Sequence, residues 1–336
     1  MPSLAEGCRF QEQRRGFSLA IWYIAIGTFV LIISVLPFQI RLLRSMNLIQ
    51  PIRAELPLDQ QLKKGTPLMG GTVFLLGMLV SVLMMATHIS YYLVVVFAAF
   101  SVIGFLDDLK NAVDKNPAGI SGWTKMVLQF VVAFMSLYYL YQHSWIDFSI
   151  PLSKTYTVYL GSVGFSVVAL LLIVGSTNAI NFTDGLDGLL SSVAISNYLF
   201  FFVIAHNFSV QLFCLIMVAC LVGFLIFNAY PAKLIMGDTG SLAISGSIVM
   251  LAVMEKVEIL VPILFVIYFA EILSVIIQVA YFKQTGKRIF RMSPIHYHFG
   301  LKYGWNEKRV VASFTLVSWV SMIACLGYYH FFLQTA

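Results

Sequence analysis

Polar residues divide this chain into ten long apolar stretches, approximately 17–40, 67–88, 91–107, 124–142, 159–176, 187–206, 209–228, 240–255, 257–282 and 310–333. A helix needs about 20 mostly apolar residues to cross a bilayer. The pattern therefore predicts an all-α polytopic membrane protein of about ten transmembrane helices, with both termini on one side. The segment 144–157 runs into Thr-Tyr-Thr-Val-Tyr159, a stretch suited to a small β-hairpin on the outer side. No internal repeat or low-complexity run interrupts the series.

Composition narrows this further. Hydrophobic residues make up 60% of the 336 and charged residues 11%, against about 25% charged in soluble domains. Mean hydropathy is +0.88. The spans leave no room for a second, soluble domain, so residues 1–336 read as a single integral-membrane domain. The first apolar run is too long for a signal-peptide core and no small-x-small cleavage site follows it. Arg14-Arg15 before it invites a twin-arginine reading, but an uncleaved first helix fits the length better. Cys8, Cys214, Cys220 and Cys325 lack metal-ligand spacing, and three of them lie within apolar runs, so they read as packing residues.

Charge sets the orientation. The loops after spans 1, 3, 5, 7 and 9 hold 16 of the 21 Lys and Arg residues. Cytoplasmic loops carry the basic excess, so these loops are placed in the cytoplasm and the protein in the cytoplasmic (inner) membrane. This bias accounts for the net charge of +6 without nucleic acid.

The chemistry-bearing residues gather in those same loops. Asp107-Asp108 ends span 3. Asn178-Ala-Ile-Asn-Phe-Thr-Asp-Gly-Leu-Asp-Gly188 follows span 5, and Asp238 sits in Gly237-Asp-Thr-Gly-Ser241 before span 8. Carboxylates beside hydrocarbon are expensive, so they need a reason to be there. Asp107, Asp108, Asp184, Asp187 and Asp238 are oxygen ligands suited to Mg²⁺. A helix beginning near Asp184 would put Asp187 about 60° round, facing the same site, while Asp107 and Asp108 stand about 100° apart and would split their roles. Between Asn178 and Asp187 the chain must bend, which Gly185 and Gly188 allow. Helix capping is the plainer account of any one of these Asp residues. His296-Tyr-His298 lies in a basic loop with Arg288, Arg291 and Lys302, suited to phosphate; the plainer reading is a solvated loop. Lys63-Lys64-Gly-Thr-Pro-Leu-Met-Gly-Gly71 is a basic turn whose glycines would let backbone approach a phosphate. Glu271, inside span 9, reads equally as a packing acid or a site residue. No P-loop or G-x-G-x-x-G occurs.

Five segments in order carry a resemblance. Thr66-Pro-Leu-Met-Gly-Gly71, Phe105-Leu-Asp-Asp108, Thr177 to Gly188, Asn228 to Ser241 and Arg291-Met-Ser-Pro-Ile-His-Tyr-His-Phe299 resemble the signatures of the bacterial phospho-N-acetylmuramoyl-pentapeptide transferases. These form a branch of the polyprenyl-phosphate N-acetylhexosamine-1-phosphate transferase superfamily. The acidic motifs indicate the superfamily, and the histidine segment points to the branch. The resemblance implies a ten-spanning, homodimeric enzyme that uses Mg²⁺. It would move phospho-MurNAc-pentapeptide from UDP-MurNAc-pentapeptide to undecaprenyl phosphate in the lipid bilayer, giving lipid I and UMP.

Carried over by motif, Asp238 and Asp187 are the metal ligands. Asp107 is the base for the lipid phosphate, with Asp108 beside it. Asn178, Asn181, Asp184 and Asp187 belong to the metal–diphosphate and nucleotide region, assisted by Lys63, Lys64, Thr66, Lys125 and Asn228. His296 and His298 face the sugar-phosphate, and His298 joins the catalytic set. Two positions depart from the family pattern: Tyr297 replaces the middle of three histidines, and Ile235 replaces a phenylalanine that stacks on uracil. Competing readings are a sister transferase using UDP-GlcNAc, a transporter with an acidic ion path, and an inactive scaffold.

Overall fold

With no water in the bilayer core, every backbone polar group there has to be satisfied within the chain, and helices do this segment by segment. In the computed structural model, residues 4–50, 65–114 and 119–334 are described, with side chains from residue 20 on. The helices are α1 (Leu4–Ser45), α2 (Phe74–Met84), α3 (His88–Asp114), α4 (Gly122–Gln142), α5 (Gly161–Phe182), α6 (Leu189–Ile204), α7 (Phe208–Asn228), α8 (Asp238–Met254), α9 (Val266–Thr285), α10 (Ile295–Tyr303) and α11 (Glu307–Tyr328). The expected hairpin is present: β1 (Ser149–Pro151) pairs antiparallel with β2 (Thr157–Tyr159), Ile150 opposite Val158. The all-α polytopic reading holds.

Among the described residues ten apolar helices match the ten stretches, but only seven of them have the length to cross a membrane; Gly70–Met84, Leu189–Ile204 and Asp238–Met254 are shorter. The shortness of α8 has a cause. α8 is buried along its whole length, Thr239 to Val253, and packs most extensively on α3. A helix apolar on all sides belongs in a protein interior, and one enclosed by neighbours need not match the bilayer. α3 errs the other way. At 27 residues it runs beyond Asp107, where its apolar stretch ends, and carries Asp107, Asp108 and Asn111 past the hydrocarbon on a continuous helix.

Run 257–282 is not one straight span. A 3₁₀ turn (Glu258–Leu260) and a single helical turn (Val261–Leu264) with Pro262 in its first turn precede α9, and Phe265, with φ −102° and ψ 23°, redirects the chain between them. The basic segment after this run, read from sequence as a loop, contains α10 (Ile295–Tyr303), with Pro294 at its N-cap.

Candidate active site

The C-terminal ends of α3 and α5 and the N-terminal ends of α4 and α8 converge, and glycine makes the convergence possible. A Cβ on Gly104 of α3 would stand 1.9 Å from the Asp238 carbonyl oxygen, and one on Gly237 would stand 2.4 Å from Asp108 Oδ2. Gly237 also has φ +75°, a conformation that disfavours side chains. Gly71 closes on Gly240, where an added Cβ would lie 2.2 Å from Gly240 Cα. The Gly70 and Gly71 N–H groups donate to the Ile235 and Met236 carbonyls at 2.9 Å. The glycine pair expected to cradle a phosphate thus serves backbone-to-backbone packing.

That packing gathers three carboxylates, Asp107, Asp108 and Asp238, with one oxygen of each within 4.8 Å of the others. Their partners differ. Asp108 accepts from the Asp238 N–H (3.0 Å), the Thr239 N–H (2.9 Å) and the Thr239 hydroxyl (2.6 Å). It occupies the N-terminus of α8, where unpaired N–H groups and the helix dipole favour an anion. Asp107, one residue earlier, faces away. Its Oδ1 accepts from the Ile120 N–H and its Oδ2 from Asn111 Nδ2, each at 3.0 Å. Asp238 accepts from Asn181 Nδ2 at 2.9 Å, and Asn181 also donates to Ser241 Oγ at 2.7 Å. Lys125 Nζ pairs with Asp238 Oδ2 and lies 3.4 Å from Asp107 Oδ1. The side chains of Lys125 and Asp238 keep 17% and 24% exposure, so the cluster opens to one side.

Other expected site residues lie elsewhere. Asp184 and Asp187 sit in a turn, not on a helix; α6 begins only at Leu189, after Gly188 at φ +77°. Asp187 does not join Asp238 in the acidic group. Its Oδ2 accepts from the Ala232 N–H at 2.8 Å, and its own N–H donates to Glu307 Oε1 at 2.6 Å. Asn178 turns to the α4 interface and donates to Gln129 Oε1 at 2.7 Å. Asn228 is buried and spends its amide on protein: Oδ1 accepts from the Gly188 N–H and Ser191 Oγ, and Nδ2 donates to the Leu234 carbonyl. It ties α7 to the start of α6 and to the loop before α8. Thr66 is half-buried and its carbonyl accepts from the Gln50 N–H. Ile235 is half-buried beside Pro67, whose carbonyl accepts its N–H. Lys63 and Lys64 lie outside the described residues.

The histidines separate because α10 is helical, where residues two apart point about 200° from each other. His296, 1% exposed, turns inward to Glu271. His298 turns to the loop before it, where Nδ1 accepts from the Arg291 N–H at 3.0 Å. Burial, reinforced by Lys302 and Arg291, lowers the His298 pKa, so its ring serves as a neutral acceptor. Beside the turn opens a cavity of about 540 Å³ whose lining includes Leu186, Tyr230, Tyr297, Trp305 and Lys308. Spacing gave no sign of Thr239 as a partner of Asp108, of Ser241 as a partner of Asn181, or of Ile120 as a partner of Asp107. The first two stand inside a motif already singled out; Ile120 is an ordinary aliphatic residue recruited through its backbone.

Hard, anionic oxygens in a partly open group are what a divalent cation such as Mg²⁺ takes, so the donor set fits one. Such an acidic group at the helix ends of a multi-pass protein suits group transfer beside a membrane. Comparisons agree. The family model described as Glycosyl transferase family 4 matches residues 90–256. A phospho-N-acetylmuramoyl-pentapeptide-transferase from Geobacillus sp. (strain WCH70) is 41% identical over 90% of this chain and 95% of its own. Proteins of the same name from Clostridium acetobutylicum (40%, covering 91% of this chain and 97% of the relative) and Geobacillus thermodenitrificans (39%, 90% and 95%) are similar. The chain belongs to the phospho-N-acetylmuramoyl-pentapeptide transferase family.

Proposed function

We propose that this protein transfers phospho-MurNAc-pentapeptide from UDP-MurNAc-pentapeptide to undecaprenyl phosphate, giving lipid I and UMP, the first membrane step of peptidoglycan synthesis. The observation that carries the chemistry is the gathering of Asp107, Asp108 and Asp238 around Lys125 and Asn181. An acceptor phosphate oxygen attacks the phosphorus that bears the sugar, and the bond from that phosphorus to the bridging oxygen breaks to release UMP. Such a transfer needs mainly positioning and charge stabilisation.

The site's own groups fall into roles. Lys125 offers an ammonium to phosphate oxygens from between two carboxylates. Asp107, anchored by Ile120 and Asn111, takes the acceptor phosphate's proton. Asp108 holds the start of α8 and so places Asp238. The Thr183–Gly188 turn, with Asp184 and Asp187, binds the nucleotide-sugar, and the neighbouring cavity has room for sugar and peptide. Asp238, the most exposed of the three acids, would hold Mg²⁺, which when bound would neutralise diphosphate charge and stabilise the leaving UMP. The basic bias of the loops supports a cytoplasmic site; the protein is read as one domain over residues 1–336 and as a homodimer.

The test is UMP release by detergent-purified protein with undecaprenyl phosphate and Mg²⁺. Turnover is expected with UDP-MurNAc-pentapeptide and not with UDP-GlcNAc. Turnover with UDP-GlcNAc alone would keep the site and overturn the donor. Turnover with neither, by folded protein, would favour an inactive scaffold.

A further inference from the structure

α9 contains a single acid, Glu271, and it is fully buried. Its Oε2 lies 3.0 Å from His296 Nδ1 and 3.4 Å from the His296 N–H, which donates to it. The imidazole's other edge presses on Gly185: a Cβ there would stand 2.4 Å from both His296 Cε1 and Nε2. The next residue holds the same glycine from another direction, Tyr297 Oη donating to the Gly185 carbonyl at 3.2 Å. A line of contact thus runs from α9 through α10 to the turn between Asp184 and Asp187.

An aliphatic residue would pack α9 against α10 without desolvating a carboxyl group. A buried carboxyl is costly, and here Glu271 Oε1 has no partner among the described residues, nor has His296 Nε2. Leaving such atoms unpaired is destabilising. A pair retained against that cost, and aimed at the backbone of a binding turn, suits positioning better than packing. His296 borders the cavity beside the turn but is only 1% exposed, so its contacts with Glu271 and Gly185 are the ones it makes within the protein.

We infer that Glu271 is a positioning residue of the transfer: through His296 it sets the backbone at Gly185, and with it the turn that receives the nucleotide-sugar. The inference rests on the donor assignment above. Steady-state kinetics and donor titration calorimetry on wild type, Glu271→Gln, His296→Gln and the double variant test it. Each single variant is expected to raise the KM for UDP-MurNAc-pentapeptide about tenfold, with that for undecaprenyl phosphate changing less than about twofold. Because the two residues act in series, the double variant should be no worse than the poorer single one. Effects that multiply, equal changes in both KM values, or unchanged kinetics would each overturn the inference. Should Glu271→Gln fail to fold, Gly185→Ala takes its place. It should impair the native chain and add nothing in a His296→Ala background; a further loss there would overturn the contact. A wild type that neither turns over nor binds the donor overturns the donor assignment and this inference together. An active wild type with an unaffected Glu271→Gln overturns this inference alone.

Discussion

Asp107 and Asp108 are neighbours in sequence with the same side chain, yet their surroundings give them different work. Both oxygens of Asp108 are taken by the first turn of α8, whereas Asp107 faces Lys125. Replacement should separate these roles. Asp238→Ala removes charge from the open side of the cluster and is expected to lower turnover at least about 10²-fold, the scale of losing one preorganised electrostatic group, with thermal stability little changed. Asp108→Ala strands two N–H groups and a hydroxyl, so about 1–3 kcal/mol of stability should go along with turnover. Kinetics and a thermal melt on the same preparations check both; a stable but inactive Asp108→Ala would make Asp108 a reacting group. The apolar pattern singled out Asp107 and Asp238 among the acids, and the fold brings these two together with Asp108. The inward turn of Asn178 and Asn228 was not legible in the sequence, because an amide's partner is chosen by whichever helix packs beside it.

Elements meet at this site through missing side chains. α3 and α8 touch backbone to backbone at Gly104, which brings Asp108 within reach of α8's first N–H groups. Gly104→Ala would drive a methyl into the Asp238 carbonyl. The helices must then part, and the expected outcome is lost turnover together with a lower Tm, stability falling by about 1–3 kcal/mol as overpacking typically costs. An active, stable Gly104→Ala would show the two helices to be more loosely joined. The extension of α3 past its apolar stretch and the break at Phe265 have one explanation: hydropathy marks where lipid contact stops, whereas a helix stops where its hydrogen bonds find better partners.

Across the whole molecule the two membrane faces differ in chemistry. On the face opposite the site, Asp147 pairs with Lys256, and burial pushes Glu255 and Glu258 up to about 7. Between the ordinary glutamate value of 4.5 and about 7 the folded protein holds protons that the unfolded chain releases. This contribution to stability is therefore complete below pH 4.5 and is lost as pH rises through about 7. Glu258→Gln should raise the Tm at pH 8 and leave it unchanged at pH 4, read by thermal melts across pH; an equal shift at both would reject the titration. Orientation has its own test. In spheroplasts, a membrane-impermeant maleimide should label Lys154→Cys and spare Lys287→Cys; the reverse pattern would invert the topology.

The sequence alone determined the helical membrane class, the hairpin, and the return of the Asp107–Asp108, Asn178–Gly188 and Asp238 segments to one end of the helices, because hydrocarbon tolerates only apolar, internally bonded backbone and that rule acts residue by residue. Five ordered motifs also placed the chain in its family. Tertiary structure decided the assignment of partners. It joined Asp107, Asp108 and Asp238 while leaving Asp187 on the Ala232 N–H. It turned His296 and His298 to opposite sides of a helix where a loop was expected, and it brought Glu271 of α9 against the histidine segment. These depend on helix length, close approach at glycine and where the backbone breaks. Such quantities are set by packing among distant segments, so no local pattern encodes them.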